Sequence, residues 1–168
     1  MKDKRGLIMD VKIKSEEGVF KYRVNGLVLH NDKVLTVDIA DNGFFCLPGG
    51  HVHLGEDSFE AVRREVKEET GIEADKVSLF AIIENFFPGK NNCKMHEVGV
   101  YYLVEAKDLK GRDKDFELIE NDEGKLVKLN FKWISLDEIE EANFRPDKLK
   151  TKLKKRDFSF EHFIVKDI

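Results

Sequence analysis

Apolar and polar residues alternate from the start of the chain. Leu7, Met9, Val11 and Ile13 are separated by polar neighbours, the period of a strand with one buried face. Ser15 to Gly18 reads as a turn. From Val19 to His30 the apolar positions close up, with Val24, Leu27, Val28 and Leu29, as a central strand covered on both sides requires. Asn31-Asp32 is a turn signal, and Val34 to Ile39 is the hairpin partner it predicts. Asp41-Asn42-Gly43 marks another turn, followed by Phe44-Phe45-Cys46-Leu47 and the break Pro48-Gly49-Gly50. At Asp57 the period changes to that of a helix running to Glu69. Asp57 stands as its cap, with Glu60 placed for a capping box, and Gly71 follows the last turn as a left-handed terminator. Phe59, Val62 and Val66 fall on one side of this helix.

Strand patterns return at Val77–Phe87 and Val98–Val104, joined by the polar loop around Pro88 to Asn92. Lys107 to Gly124 is charged and weakly periodic and reads as a long loop with room for a short hairpin. Leu126 to Ile134 is strand-like, and Ser135 is placed to cap a helix reaching about Ala142. Pro146 opens a last helix with Leu149 and Leu153 on its apolar side, and Phe158 to Val165 forms a final extended piece. Strands interspersed with two or three helices predict an α/β fold, a mixed sheet between helices. With 168 residues and no linker-like composition, the chain is read as a single domain over 1–168.

Composition narrows the function classes. The formal net charge is −4, so a general nucleic-acid binder is not expected. No apolar run is long enough to span a membrane, and Met1 to Gly6 is charged without a secretory apolar segment, so a cytoplasmic location is expected. Cys46 and Cys93 have no metal-ligand spacing and are read as reduced thiols. Lys148 to Arg156 holds six basic residues in nine positions, read as a solvated helix face.

The helix after Asp57 carries the chemistry. Glu65, Glu68 and Glu69 share a sector about 100° wide that borders the apolar stripe. Arg64 and Lys67 are expected to project toward a different side. Taken alone, such a cluster is either a solvated acidic face or a site for a hard cation, which takes oxygen ligands. Its surroundings favour the second. Gly50 is followed by five residues and Glu56, then seven more lead to Arg64-Glu65, Val66, Lys67, Glu68-Glu69, Thr70, Gly71 and the aliphatic Ile72. This resembles the Nudix box, the signature of the Nudix hydrolase superfamily, at each of its defined positions. Leu47-Pro48-Gly49, Gly55 and the segment Phe131 to Ile139 resemble what commonly surrounds that box.

The resemblance implies a Nudix-like α/β/α sandwich with a mixed β-sheet and a loop-helix-loop catalytic motif. It also implies hydrolysis of a phosphoanhydride in a nucleoside diphosphate linked to another moiety, by water attack on phosphorus. The substrate would be a small nucleotide-type molecule, a nucleoside triphosphate or a nucleotide sugar such as ADP-ribose, and the cofactor Mg²⁺ or Mn²⁺. Glu65, Glu68 and Glu69 match the metal-binding acids, with Glu65 favoured as the base, and the Gly50 carbonyl matches a further ligand. Glu56 and Arg64 match a pair that braces loop and helix. Pro88, 16 positions beyond Ile72, resembles a marker of ADP-ribose-cleaving members. A homodimer is the assembly the resemblance allows. The alternative is a non-catalytic nucleotide-sensing domain, which an intact box argues against.

Further acids could join the site from Glu84, Glu97, Glu117, Glu120 or Glu123, with Glu97 and Glu120 the leading candidates. His51 and His53 are read as exposed strand residues. Phe44, Phe45, Phe86 and Phe87 are read as core before stacking surfaces. No substrate-binding residue is assigned.

Overall fold

The computed structural model describes residues 8–122 and 124–167, so Leu7 and Glu123 lie outside the described residues, as do Met1 to Gly6. In chain order the strands are β1 Lys12–Lys14, β2 Gly18–His30, β3 Lys33–Ile39, β4 Gly49–His51, β5 Lys76–Pro88, β6 Lys94–Glu105, β7 Phe116–Asp122, β8 Lys125–Ser135 and β9 Glu161–Lys166. Helix α1 spans Ser58–Thr70 and helix α2 Lys150–Lys155. The sheet runs β7-β8-β3-β2-β6-β5-β9, with β1 and β4 also on β2. β2 pairs in parallel with β6, and β5 with β9, while the other ladders are antiparallel.

The long apolar run of β2 is central because both of its faces are covered. Val24 and Val28 pack with Ala61, Val62 and Val66 of α1 on one side. Leu27 packs with Leu149 and Leu153 of the C-terminal helical segment on the other. The sheet therefore lies between helical layers, the expected sandwich. Gly26 sits under α1, where a Cβ would strike Val66, so the glycine lets the helix approach the strand.

Helix α1 starts and stops where its residues direct. The Asp57 carboxylate accepts a bond from the Glu60 amide at 2.9 Å, and Gly71 ends the helix at φ 78°. The buried stripe is Ala61, Val62, Val66 and Thr70. Burying the two valines contributes about 1.5–3 kcal/mol each. Phe59 departs from the expectation: it is exposed and leans on the Tyr102 ring.

Three other segments also differ. The stretch from Lys107, read as a long loop with room for a short hairpin, does end in one, though its strand β7 pairs along β8 as far as Phe131. The helix expected after Ser135 is a run of turns, in which Glu138 donates to the Ser135 carbonyl and Glu141 and Ala142 to that of Glu138, while Leu136 donates to the Asp32 carbonyl and Arg145 to that of Phe45. Leu136 and Ile139 are thereby fully buried. The last helix is short, a single 3-10 turn at Asp147–Leu149 followed by α2, though Leu149 and Leu153 face inward as expected.

Candidate active site

The hairpin of β2 and β3 holds together only near its tip, at Leu29–His30 against Lys33–Val34. Below that the strands part. The segment Cys46–His51 enters the gap: Cys46 bridges to Val37, Gly49–His51 pairs with Arg23–Asn25, and the Gly26 amide bonds to the Pro48 carbonyl. Gly49 and Gly50 fit there because they lack side chains. A Cβ on Gly49 would enter the backbone of Val24, and one on Gly50 would enter the Glu65 carboxylate. The glycine pair therefore brings bare backbone against the acids of α1.

Arg64 organises the outer side of those acids. Its Nε and one terminal nitrogen donate to Glu56 at 2.8 and 2.9 Å, which is a bidentate pair. The other terminal nitrogen reaches Glu65 at 2.7 Å and Glu68 at 3.1 Å, and Arg64 also donates to the His51 carbonyl. The expectation that Arg64 points away is corrected: its long stem lets the guanidinium turn back over the acids. The bond from Arg64 holds the Glu56 carboxyl below its ordinary range. Burial works against the charge on Arg64, yet its bonds to Glu56 and Glu65 keep it firmly protonated. Lys67 does leave the cluster, pairing with Glu73 at 2.9 Å.

The inner acids are more deeply buried. Burial raises the Glu65 pKa despite the bond from Arg64. Glu69 accepts a bond from the Gly49 amide at 3.1 Å, but burial and then the charge of Glu65 push its pKa up to about 8. Glu68 is exposed and turned toward Arg64. Among the described residues no three His, Cys, Asp or Glu side chains converge as a preformed metal cluster. The donors nevertheless fit a hard cation. Glu65 and Glu69 stand one turn apart and repel each other, Glu68 lies one turn from Glu65 and beside Glu69, and the backbone at Gly50 is bared to Glu65. A cation would offset the burial and the repulsion that now raise the pKa of Glu69.

Glu69 and Gly49 also line a cavity of about 830 Å³. Arg23, Asn25, Asn85, Glu97 and Tyr101 supply polar groups to it, and Phe44 and Phe87 are among its apolar walls. None of the strand polar residues except Glu97 was singled out from the sequence. Each is an ordinary polar position on its own strand, and only the pairing of β2, β6 and β5 brings them together. The aromatic expectation divides: Phe44 and Phe87 face the cavity, Phe45 is partly buried against the second core, and Phe86 stacks on His96.

The remaining acids also separate. Glu97 lines the cavity, and the charge of Glu120 on β7 contributes to the raised pKa of Glu69. Glu84 bonds to His162 and Glu117 pairs with Lys128, away from the glycines. His51 and His53 are partly buried, both beside Asp10, rather than fully exposed. Both cysteines are free thiols. Among the described residues no helix is long and apolar enough to cross a membrane. The basic stretch is paired instead of merely solvated: Lys152 is buried against Asp157 and Glu161, and Arg156 meets Asp32 and Asp137.

The family model described as the NUDIX domain matches residues 20–154. An ADP-ribose pyrophosphatase of Methanocaldococcus jannaschii is 32% identical over 133 residues, covering 71% of this chain and 77% of that protein. An asymmetrical bis(5'-nucleosyl)-tetraphosphatase of Rattus norvegicus is 34% identical over 93 residues, 54% of this chain and 55% of the relative. The crystal structure of a mutator MutT protein from Bacillus halodurans matches with a TM-score of 0.62 over 88% of this chain and 91% of that one. At 19% identity it speaks for the fold alone. With a site built on the box and a family match over most of its length, this chain belongs to the Nudix hydrolase family.

Proposed function

We propose that the chain is a divalent-metal-dependent pyrophosphohydrolase that cleaves the phosphoanhydride of a nucleoside diphosphate linked to another moiety. The observation that carries this is the pair Glu65 and Glu69, two carboxylates of one helix held against bare glycine backbone, with Glu69 in the wall of a nucleotide-sized cavity. In this reading Glu65, Glu68, Glu69 and the Gly50 carbonyl would hold Mg²⁺ or Mn²⁺, with Glu120 or Glu97 adding a further acid. Such an ion, when bound, neutralises phosphate charge and acidifies a water molecule. Glu65 is the residue assigned to accept the proton of the attacking water. Arg64 sets the direction of Glu65 and Glu68 and braces the loop through Glu56. Arg23, beside Gly49, supplies positive charge for the diphosphate.

Likeness to an ADP-ribose pyrophosphatase over most of both chains makes ADP-ribose the first substrate to test, ahead of nucleoside triphosphates. The same proposal covers one catalytic domain over 1–168, acting on a small molecule in the reducing cytoplasm, without nucleic acid or membrane and with a homodimer as the assembly to test. The two free thiols suit that setting. The experiment is phosphate release with Mg²⁺, Mn²⁺ or EDTA in the reaction, read, after quenching, with phosphatase for nucleotide sugars and dinucleotides and with inorganic pyrophosphatase for nucleoside triphosphates. Metal-dependent cleavage of one class is expected. Tight nucleotide binding with no cleavage of any of them would turn the assignment to a sensor.

A further inference from the structure

Among the described residues, five side-chain polar atoms are buried without a hydrogen-bond partner: Arg23 Nε, Asp38 Oδ1, His51 Nε2, Asn85 Oδ1 and His96 Nε2. Buried polar atoms are normally paired, so each asks what would satisfy it. Two of them, Arg23 Nε and Asn85 Oδ1, belong to residues lining the 830 Å³ cavity. They differ in kind. One is a donor on a fixed positive charge and the other is a neutral acceptor.

Strand register gives their separation. Arg23 on β2 pairs with Gly99 on β6, which pairs with Ile83 on β5. One side-chain step along, Lys21 pairs with Glu97, which pairs with Asn85. Asn85 is therefore two strands across and two residues along from Arg23, about 12 Å between Cα atoms for ordinary sheet spacing. Between them the floor carries no side chain at Gly99, and the Tyr101 ring lies over that glycine. The Arg23 end is fixed, because a terminal nitrogen donates to the Gly49 carbonyl at 3.2 Å, beside Glu69. The Asn85 end holds the Glu97 carboxylate as direct cross-strand neighbour, with Phe87 two residues on from Asn85.

We propose that Asn85 reads the base edge of a purine nucleotide bearing an exocyclic amino group, while Arg23 holds its diphosphate at the other end of the cavity. This rests on the reading of the site as a nucleotide hydrolase and adds the substrate class. A guanidinium with a free Nε–H beside the glycines is matched by a phosphate oxygen. At the far end an amide offers one acceptor and one donor whichever way round it lies, and the carboxylate beside it only accepts. The ligand edge must therefore be rich in donors with an acceptor next to them. Adenine and guanine both supply that through an amine and an adjoining ring nitrogen or carbonyl, and an asparagine amide is a recurrent partner for such an edge. Phe44 and Phe87 offer apolar surface for the rings. Hypoxanthine lacks the amine, uracil lacks both the amine and the second ring, and cytosine, which has the amine beside a ring acceptor, lacks the second ring that the Phe44 and Phe87 surfaces would cover.

Calorimetric titration of the full chain with ADP, GDP, IDP and UDP in EDTA tests this without turnover. The expected result is that ADP or GDP, whichever amine the pocket takes, binds about tenfold tighter than IDP and UDP. Asn85→Leu should bring that ratio within about twofold, whereas Arg23→Met should weaken all four alike and leave the ratio unchanged. Asn85→Ser, a smaller change, is read by the same ratio should the leucine variant fail to fold. Equal binding of all four, or a ratio untouched by both Asn85 variants, would overturn the base assignment while leaving the hydrolase reading intact. Absence of binding by every nucleotide would overturn the base assignment, while the hydrolase reading stands or falls on turnover with Mg²⁺.

Discussion

Two stretches of this molecule concentrate like charge, and they treat it in opposite ways. Around α2, cations crowd the chain, but nearby acids answer them: Lys150 meets Asp147, Lys154 meets Glu140, Lys152 meets Asp157 and Glu161, and Arg156 meets Asp32 and Asp137. Around α1, Arg64 answers Glu56, Glu65 and Glu68, while Glu69 bonds to the Gly49 amide and its pKa is pushed up to about 8 by burial and then by the charge of Glu65. Paired charge of the first kind holds a surface together. Charge left uncompensated in a partly buried place costs stability, and such places are where function is expected.

The sharpest way to break this contrast is to neutralise one member of each cluster. Glu69→Gln is expected to cut turnover by about two or more orders of magnitude while the far-ultraviolet spectrum stays native. A matched change in the paired cluster, Glu140→Gln, should leave turnover within about twofold. Next in size is Arg64→Met, which strands Glu56, Glu65 and Glu68 together. It should lower stability by about 1–3 kcal/mol, a fall in melting temperature of several degrees.

The third effect is a dependence on pH. The folded pKa of Glu69 is raised from 4.5 to about 8, so the folded state holds its proton more tightly than the unfolded state. That contribution is fully present below about 4.5 and is lost as pH rises through about 8. In EDTA the melting temperature should therefore fall from pH 5 to pH 8 more steeply for the parent than for Glu69→Gln. Added Mg²⁺, which favours the charged carboxylate, should restore the parent at pH 8. The smallest effect is expected at Lys154→Ala, which removes an exposed pair to Glu140 and should move the melting temperature by less than about 2 °C.

How much of this could be read from the sequence depended on how local each signal is. Helix α1 was readable to its caps, because Asp57, Glu60 and Gly71 act within one turn of themselves. The acidic sector and its glycines were readable through spacing. The direction of Arg64 was not, since a long side chain can curl back over its own helix face, as it does here to reach Glu56. The turns after Ser135 escaped prediction because the bonds that tie the segment down at either end, Leu136 to Asp32 and Arg145 to Phe45, come from residues distant in sequence. The cavity was the least readable feature. Arg23, Asn85 and Tyr101 come from three strands, and nothing in the sequence states that Arg23 and Ile83 share a row through Gly99.

The most direct test of the central claim is turnover of ADP-ribose, or of whichever substrate the panel selects, measured against Mg²⁺ concentration for the parent and Glu69→Gln. Metal-dependent release of phosphate-bearing products by the parent, with the variant reduced by about two or more orders of magnitude at every Mg²⁺ concentration, is the expected result. Full activity in Glu69→Gln, or activity in the parent that persists in EDTA, would contradict it.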